Sequence, residues 1–178
     1  MRVAFYLSPK IARRVTILAT LVLLLLVFLT VRSVLVADSP ALMPGLPLSG
    51  KTIVLDPGHG GYDPGVERNN VKEKVVALSI SVMLRDYLQS AGAQVVMTRE
   101  TDRDLLVLPT AGPKKNQDMK NRLQIIQNAD ADLLISIHAN AISAPRWRGA
   151  QVFYKEECEG SKALAAMIQA ELIRILAN

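Results

Sequence analysis

About 17 consecutive residues without a charge, Val15 to Val31 (VTILATLVLLLLVFLTV), constrain this chain more than any other feature. As a helix the run rises roughly 26 Å at about 1.5 Å per residue. That is slightly short of a hydrocarbon core of about 30 Å, and Arg13, Arg14 and Arg32 can snorkel at its ends to close the difference. A buried helix of a soluble domain would carry a polar face; this run has none, and a transmembrane helix is expected. Arg2, Lys10, Arg13 and Arg14 precede the run and Arg32 alone follows it closely. The positive-inside bias therefore keeps the N-terminus cytoplasmic and exports the rest.

The expected organisation is a basic segment plus signal-anchor over 1–37, a Pro/Gly/Ser linker over 38–50 (DSPALMPGLPLSG), and a catalytic domain over 51–178. The apolar stretch is longer than a usual signal-peptide core of about 7 to 15 residues. The cleavage candidate Leu35-Val36-Ala37 begins with a large residue where a small one is wanted. A retained anchor is expected, with a secreted form if the leader is cut.

Charge excludes one class of function. Five of the 21 basic residues lie before Asp38, where no acid occurs, leaving 16 basic against 16 acidic residues in the body. A nucleic-acid domain would carry its basic stripe on the folded part, so no nucleic-acid partner is expected. The single Cys158 excludes an intrachain disulfide framework and a zinc site of several thiolates. Its neighbours Glu156, Glu157 and Glu159 are expected to raise its pKa and make it a poor nucleophile.

Four apolar runs have strand length: Thr52–Leu55, Gln94–Thr98, Leu133–Ile137 and Ala150–Tyr154. Helical stretches follow at Asn70–Ser90, Asp118–Asn128 and Ser161–Leu176. The first opens on Asn70-x-x-Glu73, a capping-box pattern, and meets Gly92. The second puts Met119, Leu123 and Ile126 on one side, and the third Leu164, Met167, Ile168 and Leu172. Arg103 to Lys115 reads as a surface excursion. Alternating strands and helices predict a single α/β domain with a largely parallel (mixed) sheet flanked by helices. The last helix runs to Asn178 with no strand after it, so a C-terminally truncated domain is expected.

Only two histidines occur, and each ends a predicted strand: His59 in Asp56-Pro57-Gly58-His59-Gly60-Gly61, and His138 in Ser136-Ile137-His138-Ala139-Asn140. Parallel strands gather such ends on one edge, where ligands bind. Two imidazoles suit zinc, which in catalytic sites takes a third protein ligand and leaves a position open. Glu73 is the nearest candidate for that ligand, and equally a helix cap. Arg99, Asp102 and Asp104 read as a solvated loop near the same edge. Trp147, between Arg146 and Arg148, is a weak sugar-stacking candidate.

LSGKTIVLDPGHGGYDPG, then KEK, TRETD and NADADLLISIHANA, resembles the zinc-dependent N-acetylmuramoyl-L-alanine amidases from about Leu48 onward. Within that family it is most like the germination-specific (spore cortex) amidases of spore-forming bacteria. The resemblance implies a peptidoglycan hydrolase that cleaves the bond between N-acetylmuramic acid and the L-alanine of the stem peptide with zinc-activated water. It implies Zn²⁺ on His59, Glu73 and His138, and a membrane-anchored enzyme whose catalytic domain lies outside the cytoplasm, in the cell wall or the forespore intermembrane space. Two departures stand out. Val75 occupies a position where the family often has an acid or amide, and the family's catalytic glutamate lies beyond Asn178. The alternative is therefore a membrane-tethered peptidoglycan-binding fragment with impaired catalysis. A zinc deacetylase acting on the same polymer is a rival enzyme. Whether a protein activator is needed is not legible.

Overall fold

The computed structural model describes residues 9–37, 45–110, 112–140 and 149–176. Helix α1, Pro9–Ala37, contains a stretch, Pro9–Arg32, long and apolar enough to cross a membrane, with none of it buried against the rest. Its threonines turn back on the helix. Thr16, Thr20 and Thr30 donate hydroxyl hydrogen bonds to the carbonyls of Ala12, Thr16 and Val27 at 3.0, 2.9 and 2.9 Å. That satisfies groups for which a hydrocarbon medium offers no partner.

The body is built on β1 (Thr52–Pro57), β2 (Glu67–Arg68), β3 (Val71–Lys72), α2 (Glu73–Ser90), β4 (Gln94–Met97), α3 (Lys114–Asn128), β5 (Leu133–Ile137) and α4 (Glu159–Leu176). β1 lies between β4 and β5, and both pairings are parallel: Leu55 stands opposite Met97 on one side and Ile135 on the other. A central strand is covered on both faces, which is why Ile53, Val54 and Leu55 are all apolar and buried instead of alternating. Ile53 and Leu55 pack with Ala93, and around them sit Leu48, Leu84, Leu88, Val95, Met97, Leu133 and Ile135. Ala77 and Ser81 continue the buried stripe of α2. Gly92, at φ 96°, ends that helix as its position predicts. β2 and β3 form a separate antiparallel hairpin.

The sheet order β4-β1-β5 sends the chain from β1 to one side and then, through α3, to the other. The crevice at the carboxyl ends of β1 and β5 is the switch point where such sheets bind ligands.

Four expectations are corrected. Ala150–Tyr154 forms no strand. Its backbone is held instead by one side chain: Gln169 on α4 accepts the Val152 N–H at 2.9 Å and donates to the Ala150 carbonyl at 3.1 Å. β-propensity describes fitness for a sheet surface and needs a partner strand. α3 starts earlier than predicted and turns its charged side inward. Asp118 and Arg122 are buried, while Met119 and Leu123 are about half exposed. On α4, Leu164, Ile168 and Leu172 face the body, and Met167 points out. Finally, the described part of the expected linker, Gly45 to Gly50, lies on the body. The Leu48 N–H donates to the Ala91 carbonyl at 2.9 Å, and Leu48 packs against the core.

Candidate metal centre

The β1 strand runs two residues past its apolar core, to Asp56 and Pro57 paired with Ser136 and Ile137. The next residues turn sharply, and His59 takes φ 61°, a left-handed conformation uncommon for a residue with a side chain. The turn is held from below. The Arg122 guanidinium donates to the carbonyls of Pro57 (2.8 Å) and His59, and to the carboxylates of Asp56 and Asp118, both at 2.7 Å. Asp56 also accepts from the Thr98 and Ser136 hydroxyls. Burial pushes the Asp56 carboxyl up, but the Thr98 and Arg122 interactions outweigh it and hold the group below the usual carboxylate range.

The turn delivers His59 to the crevice beside the other two predicted ligands. Glu73, the first residue of α2, has a side chain only 1% exposed. Its Oε2 lies 3.2 Å from His59 Nε2, and its Oε1 lies 3.0 Å from His138 Nδ1. The two rings stand edge to face, 5.0 Å apart between centroids. One donor atom from each of the three residues falls within 4.8 Å of the others.

The capping reading of Glu73 is thereby corrected. The helix N-cap is Lys72, with no side-chain cap, and Asn70 sits at φ 62° in the preceding turn. The Glu73 carboxylate instead accepts the Val66 and Ala139 N–H groups, each at 2.9 Å. Burial raises its pKa, but these amides, His138 and His59 more than reverse the effect. A buried carboxylate kept anionic between two imidazoles suits a cation. A His₂Glu set with His138 on the open side matches the donor chemistry of catalytic zinc.

Asp63 was not singled out from the sequence. It lies 2.9 Å from His59 Nδ1 and accepts the Gly65 N–H at 3.0 Å. A carboxylate on one ring nitrogen directs the other nitrogen's lone pair toward the crevice. The signal was available four residues after His59, in the same glycine-rich turn.

The solvated-loop reading of Arg99 is also overturned. Arg99 is 1% exposed and donates to the carbonyls of Pro57, Gly58, Lys74 and Thr101. Asp102 accepts the Gly61 N–H and pairs with Lys74 at 2.8 Å, while Asp104 accepts from the backbone of Tyr62 and Leu106. These side chains staple the histidine turn. Cys158 is exposed, and its thiol is lowered, not raised, chiefly by a hydrogen bond from the Ser161 hydroxyl at 3.1 Å. Arg146, Trp147 and Arg148 lie outside the described residues.

The family model described as N-acetylmuramoyl-L-alanine amidase (Amidase_3) matches residues 53–177. The germination-specific N-acetylmuramoyl-L-alanine amidase of Bacillus subtilis is 47% identical over 135 residues, 75% of this chain and 57% of the relative. The CwlD amidase from Clostridioides difficile, solved in complex with the GerS lipoprotein, is similar with a TM-score of 0.66 and 42% identity. That match covers 70% of this chain and 66% of the other. An N-acetylmuramoyl-L-alanine amidase structure from Clostridium difficile gives 0.57 and 31%, over 70% and 63% of the two chains. This chain thus spans 57% of the Bacillus subtilis relative's length. With the family model covering most of the body, the chain belongs to the N-acetylmuramoyl-L-alanine amidase family.

Proposed function

We propose that this chain acts on peptidoglycan as a zinc-dependent amidase, hydrolysing the bond between N-acetylmuramic acid and the first L-alanine of the stem peptide, with His59, Glu73 and His138 as the zinc ligands. The observation that carries the reading is the convergence of these three donors within 4.8 Å at the switch point of the sheet. Zinc, when bound, polarises an amide carbonyl and makes water a nucleophile near neutral pH.

The chain's own residues supply the rest. Asp63 holds the His59 ring, Val66 and Ala139 amides keep Glu73 ionised and aimed, and the half-exposed His138 edge leaves the crevice open to a polymeric substrate. On this reading α1 anchors the protein, and the body, which Gly45 to Gly50 already join, works outside the cytoplasm on cortex or wall. A spore-cortex role is supported by the likeness to the germination-specific relative. The likeness to CwlD, seen with a lipoprotein, supports an extracytoplasmic lipoprotein as partner.

A second reading is favoured by one observation. Among the described residues, Asp63 is the only other carboxylate paired with either imidazole, and it is already engaged by His59 and Gly65. A chain using only these groups would hold zinc and glycan with little turnover, since loss of a general acid/base typically costs about 10²- to 10⁴-fold.

The test is zinc stoichiometry of the full chain, followed by mass analysis of products released from purified peptidoglycan. The amidase reading expects one zinc per chain and separation of peptide from glycan, both abolished by chelation. Glu73→Gln is expected to weaken zinc by more than about 100-fold, beyond the effect usual for residues that only support a ligand. Zinc binding without product selects the second reading. Acetate as the product selects a deacetylase. Absence of zinc from the wild-type protein overturns both amidase and fragment readings.

A further inference from the structure

The Arg99 guanidinium is buried beside the metal centre and is spent on backbone. Its Nη2 donates to the Gly58 carbonyl at 2.7 Å and to the Lys74 carbonyl at 2.9 Å. These are the residue immediately before His59 and the residue immediately after Glu73. Nε donates to the Pro57 carbonyl at 3.0 Å, and Nη1 to the Thr101 carbonyl at 3.2 Å. Among the described residues no carboxylate pairs with it, in contrast to Arg122, which pairs with both Asp56 and Asp118.

We infer that Arg99 is a positioning residue for the metal centre, a strut whose single terminal nitrogen sets the separation between the His59 segment and the Glu73 segment. The inference rests on the zinc reading above. It follows from two features of a guanidinium. Its planar fork offers donors at fixed angles, so three carbonyls from two ligand-bearing segments are held by one rigid group. Its charge strengthens each bond in a buried setting. The turn passes close to it: a Cβ on Gly60, already at φ 132°, would lie 2.3 Å from the Arg103 carbonyl oxygen and 2.9 Å from Arg99 Cδ.

A second tie spans the same two segments at the surface. Asp102 accepts the Gly61 N–H at 2.9 Å and pairs with Lys74 Nζ at 2.8 Å, and Lys74 Nζ also donates to the Gly61 carbonyl at 2.7 Å. The strut inside and the tie outside thus oppose relative movement of His59 and Glu73 without touching either side chain.

The experiment uses the full chain in detergent micelles, stripped of metal. Zinc affinity is read by competition with a chromogenic chelator, ligand geometry by the visible spectrum of the cobalt-loaded protein, and stability by the thermal midpoint without metal. Arg99→Lys keeps the charge and loses the fork. It is expected to weaken zinc about 10- to 100-fold and to alter the cobalt spectrum. Val54→Ala, which removes buried volume from the same sheet, is the comparator: it should lower the midpoint and leave zinc affinity alone.

Arg99→Lys with wild-type zinc affinity and an unchanged cobalt spectrum overturns the inference, whatever happens to the midpoint. Should Arg99→Lys not fold, Arg99→Gln decides, because its planar amide keeps one donor nitrogen but cannot reach the carbonyls of both ligand-bearing segments at once. A several-fold loss of zinc affinity supports the strut, and an unchanged affinity overturns it. A wild-type chain that binds no zinc is a different failure, since it removes the zinc reading itself and the inference with it.

Discussion

At the level of single residues, the site tolerates little added volume. A Cβ on Gly58 would stand 2.4 Å from Cε1 of His138, closer than real contacts allow. Gly58→Ala is therefore expected to push the imidazole away and weaken zinc about tenfold or more, an effect of the size seen when a ligand loses its support. Chelator competition checks it, and unchanged affinity would show that the His138 ring has room elsewhere. Asp56 makes the second residue-level prediction. Its carboxyl is held below its ordinary value, because the Thr98 and Arg122 interactions outweigh burial. The sign follows from linkage: the stabilisation is complete above the unfolded carboxyl's pKa and is lost as pH falls through the lower folded value. Asp56→Asn should cost about 3 kcal/mol near neutral pH, the low end for breaking a buried pair, since Arg122 keeps Asp118. Urea midpoints measured from pH 7 down into the acid limb should converge for the two proteins, and parallel curves would refute the argument.

Among the elements, α1 carries its own experiment. Its apolar stretch is exposed along its length, and its threonines are bonded within the helix, as a lipid-facing helix requires. An arginine at the centre of such a helix costs about 2.5–3.5 kcal/mol of insertion free energy. Leu24→Arg should shift the protein from the carbonate-resistant membrane fraction toward the soluble one. Full retention in the membrane would mean that something other than this helix anchors the chain. α3 shows why periodicity alone misreads a face. Met119, Leu123 and Ile126 mark an apolar side, yet the buried carboxylate of Asp56 draws Arg122 inward and Arg122 holds Asp118 beside it. An uncompensated buried charge outweighs the exposure of two partly covered apolar side chains.

For the whole molecule, the metal centre joins segments far apart in the chain, so zinc should behave as a tertiary cross-link. The proposed ligands follow β1, open α2 and follow β5, and they converge only in the folded state. With free zinc at about 100 times its Kd, linkage adds about 2.7 kcal/mol to stability. The thermal midpoint of the full chain should rise with zinc and fall back on chelation, and a midpoint indifferent to both would show that the folded chain has no preferential affinity for the ion.

The three central strands, the two imidazoles at their ends and the apolar leader were legible in the residues alone, because each depends on local pattern: runs of apolar side chains, turns of glycine, and a strand end that must point to one edge. The role of Glu73 was open by the same logic, since a carboxylate opening a helix can cap it or leave it, and only the approach of the Val66 and Ala139 amides and both histidines selects the second. Arg99 read as a loop residue because nothing near it in sequence reveals the carbonyls of Pro57, Gly58 and Lys74 that surround it. Local pattern records what a segment prefers, whereas the partners of a buried charge are set by which distant segments the fold brings within about 3 Å, and that is decided only when the chain is packed.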